Sequence, residues 1–248
     1  MLGMGLIPAC TPNPLLANGS APTPKAECVI LLHGLGRTAD SMEDLAEALE
    51  TAGYGTVNLD YPSRDDPIEM LAMATIPSGI RQCRAKGAQK LHFVTHSMGG
   101  ILLRYYLSRQ PLDNLGRVVM LSPPNQGSEI ADALKDNSLY QWYNGPAGQQ
   151  LGTEPDGFVA GLGPVDYPVG IITGNAHAVF DVWFAKEIPG DDDGKVSVER
   201  AKVEGMTDFL VLPYSHPFIM QKKAVAEQVI HFLRHGVFNH AAAAQDEK

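Results

Sequence analysis

The residues best suited to chemistry lie in the segment Thr95-His-Ser-Met-Gly-Gly100. A serine hydroxyl acts as a nucleophile when it is exposed, held still and hydrogen-bonded to a base. A sharp turn between a strand and a helix meets the first two conditions and surrounds the serine with free N–H groups. Small flanking residues let such a turn tighten, as Gly99 does, whereas Thr95 stands where glycine is usual. Ser97 is therefore a candidate nucleophile, and an ordinary helix-capping serine is the alternative.

A second segment, His33-Gly-Leu-Gly36, follows a short apolar run and precedes a helical pattern. A glycine-rich turn at the end of a strand can direct a backbone N–H group at a substrate oxygen. We expect the N–H groups of Leu35 and Met98 to form an oxyanion hole on this basis. The alternative for His33 and Gly34 is a simple tight turn, or a packed loop histidine at His33. A phosphate-binding loop is excluded because no Lys-Ser or Lys-Thr follows the glycines.

The acid and the base are sought downstream, because Ser, Asp and His follow one another in this order in one group of serine hydrolases. His216 follows the last apolar run and precedes the last helical pattern, where a base is expected. Asp193 is the preferred acid because it lies in a turn immediately before Gly194. Asp192 is the second choice and Asp191 the third. A solvated loop or a calcium site is the alternative for these two aspartates.

Further substrate contacts are expected from His33, Gly34, His96, Pro123 and Trp142, and His177 is expected near the pocket. No metal or cofactor is predicted. Three cysteines are too few for a disulfide framework, and the odd number leaves at least one unpaired.

Short apolar runs alternate with helical patterns, which predicts an α/β fold with a mostly parallel sheet of about six strands and helices on both faces. The predicted strands are Cys28–Leu32, Thr56–Leu59, Leu91–Thr95, Val118–Leu121, Val169–Thr173 and Phe209–Leu212. The predicted helices are Ser41–Ala52, Pro67–Ala85, Met98–Ser108 and Met220–Arg234. Pro77 is expected to kink or break the second helix.

The chain of 248 residues has no long linker, so one domain over 26–236 is expected. Residues 137–167 lose the helical period and are predicted to form a short cap. Residues 1–25 are predicted to be a flexible extension, in which the run before Cys10 resembles the end of a bacterial lipoprotein signal. Residues 237–248 are predicted to be a disordered tail. The net charge of −9 makes nucleic acid an unsuitable partner.

Together these motifs resemble a bacterial lipase or carboxylesterase of the α/β-hydrolase superfamily, in its smaller triacylglycerol-lipase-like branch. The segments that carry the resemblance are Val29–Gly36, Thr95–Gly100, Leu121–Ser128, Asp193–Val196 and Ser215–His216. In that family an Asp-Gly-x-Val turn carries the acid, so the resemblance implies Asp193.

The resemblance implies hydrolysis of a small-molecule ester or lipid through an acyl-enzyme on Ser97, without a cofactor. A short cap favours short to medium acyl chains and leaves contact with a lipid surface open. An acyltransferase or thioesterase using the same residues, or a non-catalytic binding module, is the alternative. A truncated lipoprotein signal would imply a bacterial envelope or secreted protein; otherwise a cytoplasmic location is expected. The oligomeric state is not predicted.

Overall fold

The computed structural model describes residues 26–178 and 188–243. Six strands form one sheet in the order β2-β1-β3-β4-β5-β6, and every neighbouring pair is parallel. The prediction of an α/β fold with a sheet of about six mostly parallel strands is therefore confirmed. The strands are β1 (Glu27–Leu32), β2 (Gly55–Leu59), β3 (Lys90–His96), β4 (Leu115–Leu121), β5 (Val169–Gly174) and β6 (Asp208–Leu212).

Helices cover both faces of the sheet, because the strands are apolar on both sides. Ile30 and Leu32 of β1 belong to the core beneath α2 and α3, whereas Val29 and Leu31 belong to the core beneath α1 and α7. Among the described residues, no helix is both long enough and apolar enough to cross a membrane. The helices are α1 (Glu43–Thr51), α2 (Ile68–Ala85), α3 (Met98–Arg109), α4 (Glu129–Leu134), α5 (Ser138–Gln149), α6 (Val198–Ala201), α7 (Lys223–His235) and α8 (His240–Ala243).

The strand order places a crevice where the chemistry is expected. The chain runs from β1 to β2 on one side, then crosses to β3 on the other side of β1. The two loops that leave β1 and β3 therefore separate at the carboxyl edge of the sheet, where parallel α/β folds bind ligands. Leu32 is paired with Thr95 in the sheet, so the turns that begin at His33 and Ser97 are neighbours.

Pro77 does not break α2, so of the two predicted effects, a kink or a break, the break is wrong. The helix is continuous from Ile68 to Ala85 with Pro77 inside it. One face of the helix, including Leu71, Ile76 and Ile80, is buried against the sheet. Burial of this face offsets the hydrogen bond that proline cannot make.

The cap segment is more regular than predicted. Residues 138–149 form α5, which has a non-helical break at Gly145 (φ 63°, ψ −170°). A Cβ at this position would overlap the Arg64 carbonyl group, so the break requires glycine. The amphipathic period was absent from the sequence because α5 leaves large apolar side chains such as Leu139 and Trp142 in solvent.

The C-terminal end of the chain is ordered further than predicted. Residues 237–243 were expected within a disordered tail, but Phe238 is buried and its ring centroid lies 4.9 Å from that of Phe232. Its backbone N–H donates to Asp208 Oδ2 at 2.7 Å, and α8 follows. The aromatic anchor holds this part of the chain against α7. The expected tail beyond residue 243 and the extension before residue 26, with Cys10, lie outside the described residues.

A disulfide joins Cys28 of β1 to Cys83 of α2 across a Cα–Cα distance of 5.8 Å. Both residues are fully buried. The sequence did not predict this pair, because three cysteines with 55 residues separating these two give no spacing signal. The bond ties the last turn of α2 to the sheet.

Candidate active site

Ser97 lies in a sharp turn between β3 and α3. Its backbone has φ 52° and ψ −125°, a conformation that non-glycine residues rarely adopt. The turn is held from both sides: the Ser97 N–H donates to the Leu121 carbonyl at 2.8 Å, and its carbonyl accepts from Gly100 N–H at 2.9 Å. Strain at a fixed residue is a feature of functional turns.

Two glycines make this turn possible. A Cβ on Gly99 would lie 2.7 Å from the Leu32 carbonyl oxygen and 2.8 Å from that of His33, so no side chain fits between α3 and β1. A Cβ on Gly100 would lie 3.2 Å from Thr95 Oγ1. Thr95 is fully buried and stands where glycine is usual in such a turn. The absence of a side chain on Gly100 therefore gives Thr95 the room that it needs.

The predicted nucleophile, base and acid form one continuous hydrogen-bonded chain. His216 Nε2 lies 3.0 Å from Ser97 Oγ, and His216 Nδ1 lies 2.8 Å from Asp193 Oδ2. All three side chains lie at the carboxyl edge of the sheet, although 119 residues separate Ser97 from His216. With the Nδ1 proton donated to the carboxylate, Nε2 is free to accept the proton of the serine hydroxyl.

Asp193 is fixed by its own loop. Its side chain is fully buried, and Oδ1 accepts backbone N–H groups of Lys195 and Val196 at 3.0 and 2.9 Å. Oδ2 is thereby left to face His216. The Asp193 carbonyl also accepts the backbone N–H of His216 at 2.8 Å, so Asp193 holds both the ring and the main chain of His216.

Of the two neighbouring aspartates, Asp191 is exposed and Asp192 is oriented elsewhere. Asp192 Oδ1 accepts the Gly194 N–H at 2.7 Å and lies 2.8 Å from His177 Nε2. His177 therefore serves the acid loop and does not line the cleft. Among the described residues, no group of three or more histidine, cysteine or carboxylate side chains is arranged to hold a metal ion. The described residues therefore provide no set of ligands for the calcium site that was the alternative for Asp191 and Asp192.

The two predicted oxyanion-hole donors lie beside Ser97. Leu35 lines the same cleft as Ser97, and Met98 is the first residue of α3. Within the described residues, neither backbone N–H donates to a backbone carbonyl group. N–H groups without an acceptor next to a nucleophile suit the binding of developing negative charge.

His96 has a role that the sequence did not indicate. It lines the cleft, but its Nε2–H donates to the backbone carbonyl of His216 at 3.0 Å, and the two rings lie 4.9 Å apart. Burial lowers the pKa of His96 well below its ordinary value of 6.5, and the imidazole of His216 lowers it further. His96 is therefore a neutral hydrogen-bond donor to the main chain of His216. Only the packed fold reveals this contact.

Four residues predicted to contact substrate do not line the cleft. The ring of His33 is fully buried and stacks on Tyr61 at 4.0 Å. Gly34 packs against the ring of His96, since a Cβ there would lie 2.8 Å from Nδ1. Pro123 faces Gly100, and its neighbour Pro124 lines the cleft instead. Trp142 is 78% exposed, and its neighbour Tyr143 lines the cleft.

The cleft in front of Ser97 has a volume of about 310 Å³. One wall is apolar and comes mainly from α4 and the chain that follows α5. Ile130, Ala131, Leu134 and Leu151 form this wall. An apolar wall beside a nucleophile suits an acyl chain or another apolar group.

A protein-family model described as alpha/beta hydrolase fold matches residues 27–162. Among solved structures, the mature Bacillus licheniformis lipase BlEst2 is 21% identical with a TM-score of 0.68, over 86% of this chain and 94% of that chain. Phospholipase PlaB from Legionella pneumophila is 19% identical with a TM-score of 0.66, over 89% of this chain and 62% of that chain. A monoacylglycerol lipase from Paleococcus ferrophilus is 18% identical with a TM-score of 0.55, over 86% and 96%.

At these sequence identities the structural similarity establishes the fold alone. The activities named for those proteins are not transferred to this chain. Comparison with curated protein sequences gives no match. The family match and the lipase neighbours together support a hydrolase function.

Proposed function

The chain belongs to the alpha/beta hydrolase fold family, and from this membership we propose that it is a serine carboxylesterase or lipase. The observation that carries the proposal is the hydrogen-bonded chain from Ser97 through His216 to Asp193. A binding module has no need of a strained serine aligned with a histidine and a buried carboxylate. The alignment supports nucleophilic catalysis over the binding-module alternative.

In the proposed reaction, Ser97 Oγ attacks the ester carbonyl carbon while His216 Nε2 takes the hydroxyl proton. The oxyanion accepts hydrogen bonds from the N–H groups of Leu35 and Met98, and Asp193 stabilises the imidazolium. The C–O bond of the ester then breaks, and His216 gives its proton to the leaving alcohol. Water attacks the acyl-enzyme while His216 takes its proton. The bond between the acyl carbon and Ser97 Oγ then breaks as His216 returns this proton to Oγ, which releases the acid.

The cleft suggests the kind of ester. A volume of about 310 Å³ lies at the small end of the range for ligand pockets, so the proposed substrates carry short to medium acyl chains. Leu139 and Trp142 are exposed on α5, next to Tyr143 at the cleft. Such a surface supports contact with aggregated lipid as a secondary property.

The first experiment is hydrolysis of p-nitrophenyl esters from acetate to palmitate by the wild type, Ser97→Ala and Ser108→Ala. Ser108 lies exposed at the other end of α3, so its variant controls for mutation of a serine in the same helix. We expect Ser97→Ala to lose activity by about 10⁴-fold or more, as a triad member does in serine proteases. Ser108→Ala should retain it.

Activity that persists in Ser97→Ala would remove the nucleophile from the proposal. A wild type that hydrolyses no ester in the series would refute the esterase assignment. Product analysis in the presence of a competing alcohol separates hydrolysis from acyl transfer, and an acyl thioester series tests the thioesterase alternative.

A further inference from the structure

Among the described residues that line the cleft, those with a permanent charge have the same sign. They are Arg37 and Lys195, which line it together with Ser97 and His216. No aspartate or glutamate lines the cleft within the described part of the chain. This local arrangement contrasts with the whole chain, whose formal net charge is −9. Two cationic residues beside the serine suit a ligand that carries a negative charge.

Arg37 is positioned by the catalytic loops themselves. It follows the glycine turn that carries Leu35, and its Nη2 donates to the Pro217 carbonyl at 3.1 Å. Pro217 immediately follows His216, so the guanidinium is fixed beside the base. A guanidinium has five N–H donors, and the contact with Pro217 occupies one of them. A planar guanidinium matches both carboxylate and phosphate groups.

Lys195 comes to the cleft from the acid loop. Its backbone N–H donates to Asp193 Oδ1 at 3.0 Å, and its carbonyl accepts the Ser128 hydroxyl at 2.7 Å. The main chain of Lys195 is therefore fixed, and this half-buried residue lines the cleft. The glycine turn after β1 and the acid loop thus each place one cationic residue at the cleft where the substrate must lie.

We propose that Arg37 and Lys195 form a cationic subsite beside Ser97, which selects esters that carry a carboxylate or phosphate group. The inference rests on the proposed esterase function and names its substrate class. The apolar wall of α4 receives the acyl chain, and the two cations receive the anionic group. Charges on the rest of the surface are screened beyond about 8 Å at physiological salt, whereas direct contacts in the cleft are screened much less.

The test compares two p-nitrophenyl monoesters of similar length, a neutral valerate and a glutarate with a free terminal carboxylate. The measured quantity is the ratio of kcat/KM for the anionic ester to that for the neutral ester. The variants are Arg37→Gln, Lys195→Gln and the double variant, with Lys195→Arg as a charge-conserving partner. Lys223→Gln is the control, because Lys223 is exposed on α7 and is not a lining residue of the cleft.

In the wild type we expect a preference for the anionic ester of about tenfold, in keeping with one charge-assisted hydrogen bond. The ratio should fall about fivefold or more in each glutamine variant and further in the double variant. Lys195→Arg and Lys223→Gln should keep the wild-type ratio. About 0.5 M salt should reduce the wild-type ratio, because it screens the contact.

A second pair of substrates locates the anion. Lauroyl lysophosphatidic acid carries a phosphate on the alcohol side of the ester, and monolaurin is its neutral counterpart. A charge preference in the carboxylate pair alone places the subsite on the acyl side, and one in the phosphate pair alone places it on the alcohol side. Either result supports the subsite if the preference is lost in the double variant Arg37→Gln and Lys195→Gln.

Two results would overturn the inference and leave the esterase function standing. One is hydrolysis of neutral esters with no preference in either pair. The other is a preference that survives in the double variant. Absence of hydrolysis for all four substrates would instead refute the proposed function itself, so the two failures are distinguishable. Circular dichroism of each variant verifies that a changed ratio comes from a folded protein.

Discussion

The turn around Ser97 and the helix α5 lie on the same cleft but are built in opposite ways. At the turn, His96 and Met98 are buried, and Gly99 packs against two carbonyl groups with no room for a methyl group. On α5, Trp142 is 78% exposed and Leu139 is 69% exposed. Proton transfer needs atoms fixed to within tenths of an ångström, whereas a cap needs only to cover and shape an entrance. The tolerance of each region to mutation should differ accordingly.

The largest contrast is expected within the acid loop. Asp193→Asn keeps the shape of the side chain but removes the charge that faces His216. By analogy with the corresponding change in a serine protease, kcat should fall about 10⁴-fold. Asp192→Asn should have a far smaller effect, because Asp192 contacts His177 and Gly194 instead. Kinetics of both variants on one p-nitrophenyl ester test this, and equal losses would show that the acid has been misassigned.

The second contrast concerns packing beneath the nucleophile. Gly99→Ala puts a methyl group against the carbonyl oxygens of Leu32 and His33, which cannot move aside. We expect the free energy of unfolding to fall by about 1–3 kcal/mol. Gly161→Ala is the matched control, because a Cβ there meets no atom within 4 Å. Urea unfolding of both variants measures the difference, and a Gly99→Ala protein as stable as the control would contradict the close approach of α3 and β1.

A third effect comes from the buried imidazole behind the base. His96 has a lowered pKa in the folded chain and titrates near 6.5 when unfolded, so below pH 6.5 the unfolded chain binds more protons. Stability should therefore be complete above pH 6.5 and decline as the pH falls below it. The decline from this residue is at most about 1.4 kcal/mol per pH unit.

His96→Gln removes this titration and keeps a donor for the His216 carbonyl. Urea unfolding at a series of pH values should give a shallower acid slope for His96→Gln than for the wild type. Identical slopes would mean that His96 is protonated in the folded protein.

The smallest effect on folding is expected on α5. Trp142→Ala should change the free energy of unfolding by no more than about 0.5 kcal/mol, because the side chain is largely in solvent. Activity on emulsified ester relative to soluble ester should fall, since an exposed aromatic side chain next to the cleft is lost. Met70→Ala, which removes an exposed apolar side chain of α2, is the control. A large loss of stability in Trp142→Ala would mean that α5 is packed as tightly as the turn.

The sequence predicted the parts of the fold that depend on local pattern. Apolar runs gave all six strands to within a few residues, and motif spacing gave the three side chains that now lie in hydrogen-bond contact. It missed α5, because that helix leaves its apolar side chains in solvent and so lacks an amphipathic period. The places of His33 and His96 also escaped prediction: one ring stacks on Tyr61 and the other bonds the His216 carbonyl, and both partners are distant in sequence.

Because Cys28 and Cys83 form a disulfide bond, the stability of this fold depends on whether its surroundings are oxidising or reducing. It closes a loop across a sequence separation of 55, for which loop-closure entropy assigns about 4 kcal/mol. Cys28 lies near the amino end of β1, whereas the turn of Ser97 lies at the carboxyl edge of the sheet, so the cross-link is remote from Ser97. Reduction would therefore shorten the lifetime of the folded enzyme and leave the turnover of each intact molecule unchanged. The cross-link that stabilises the fold and the proposed catalytic residues thus lie at opposite edges of one sheet.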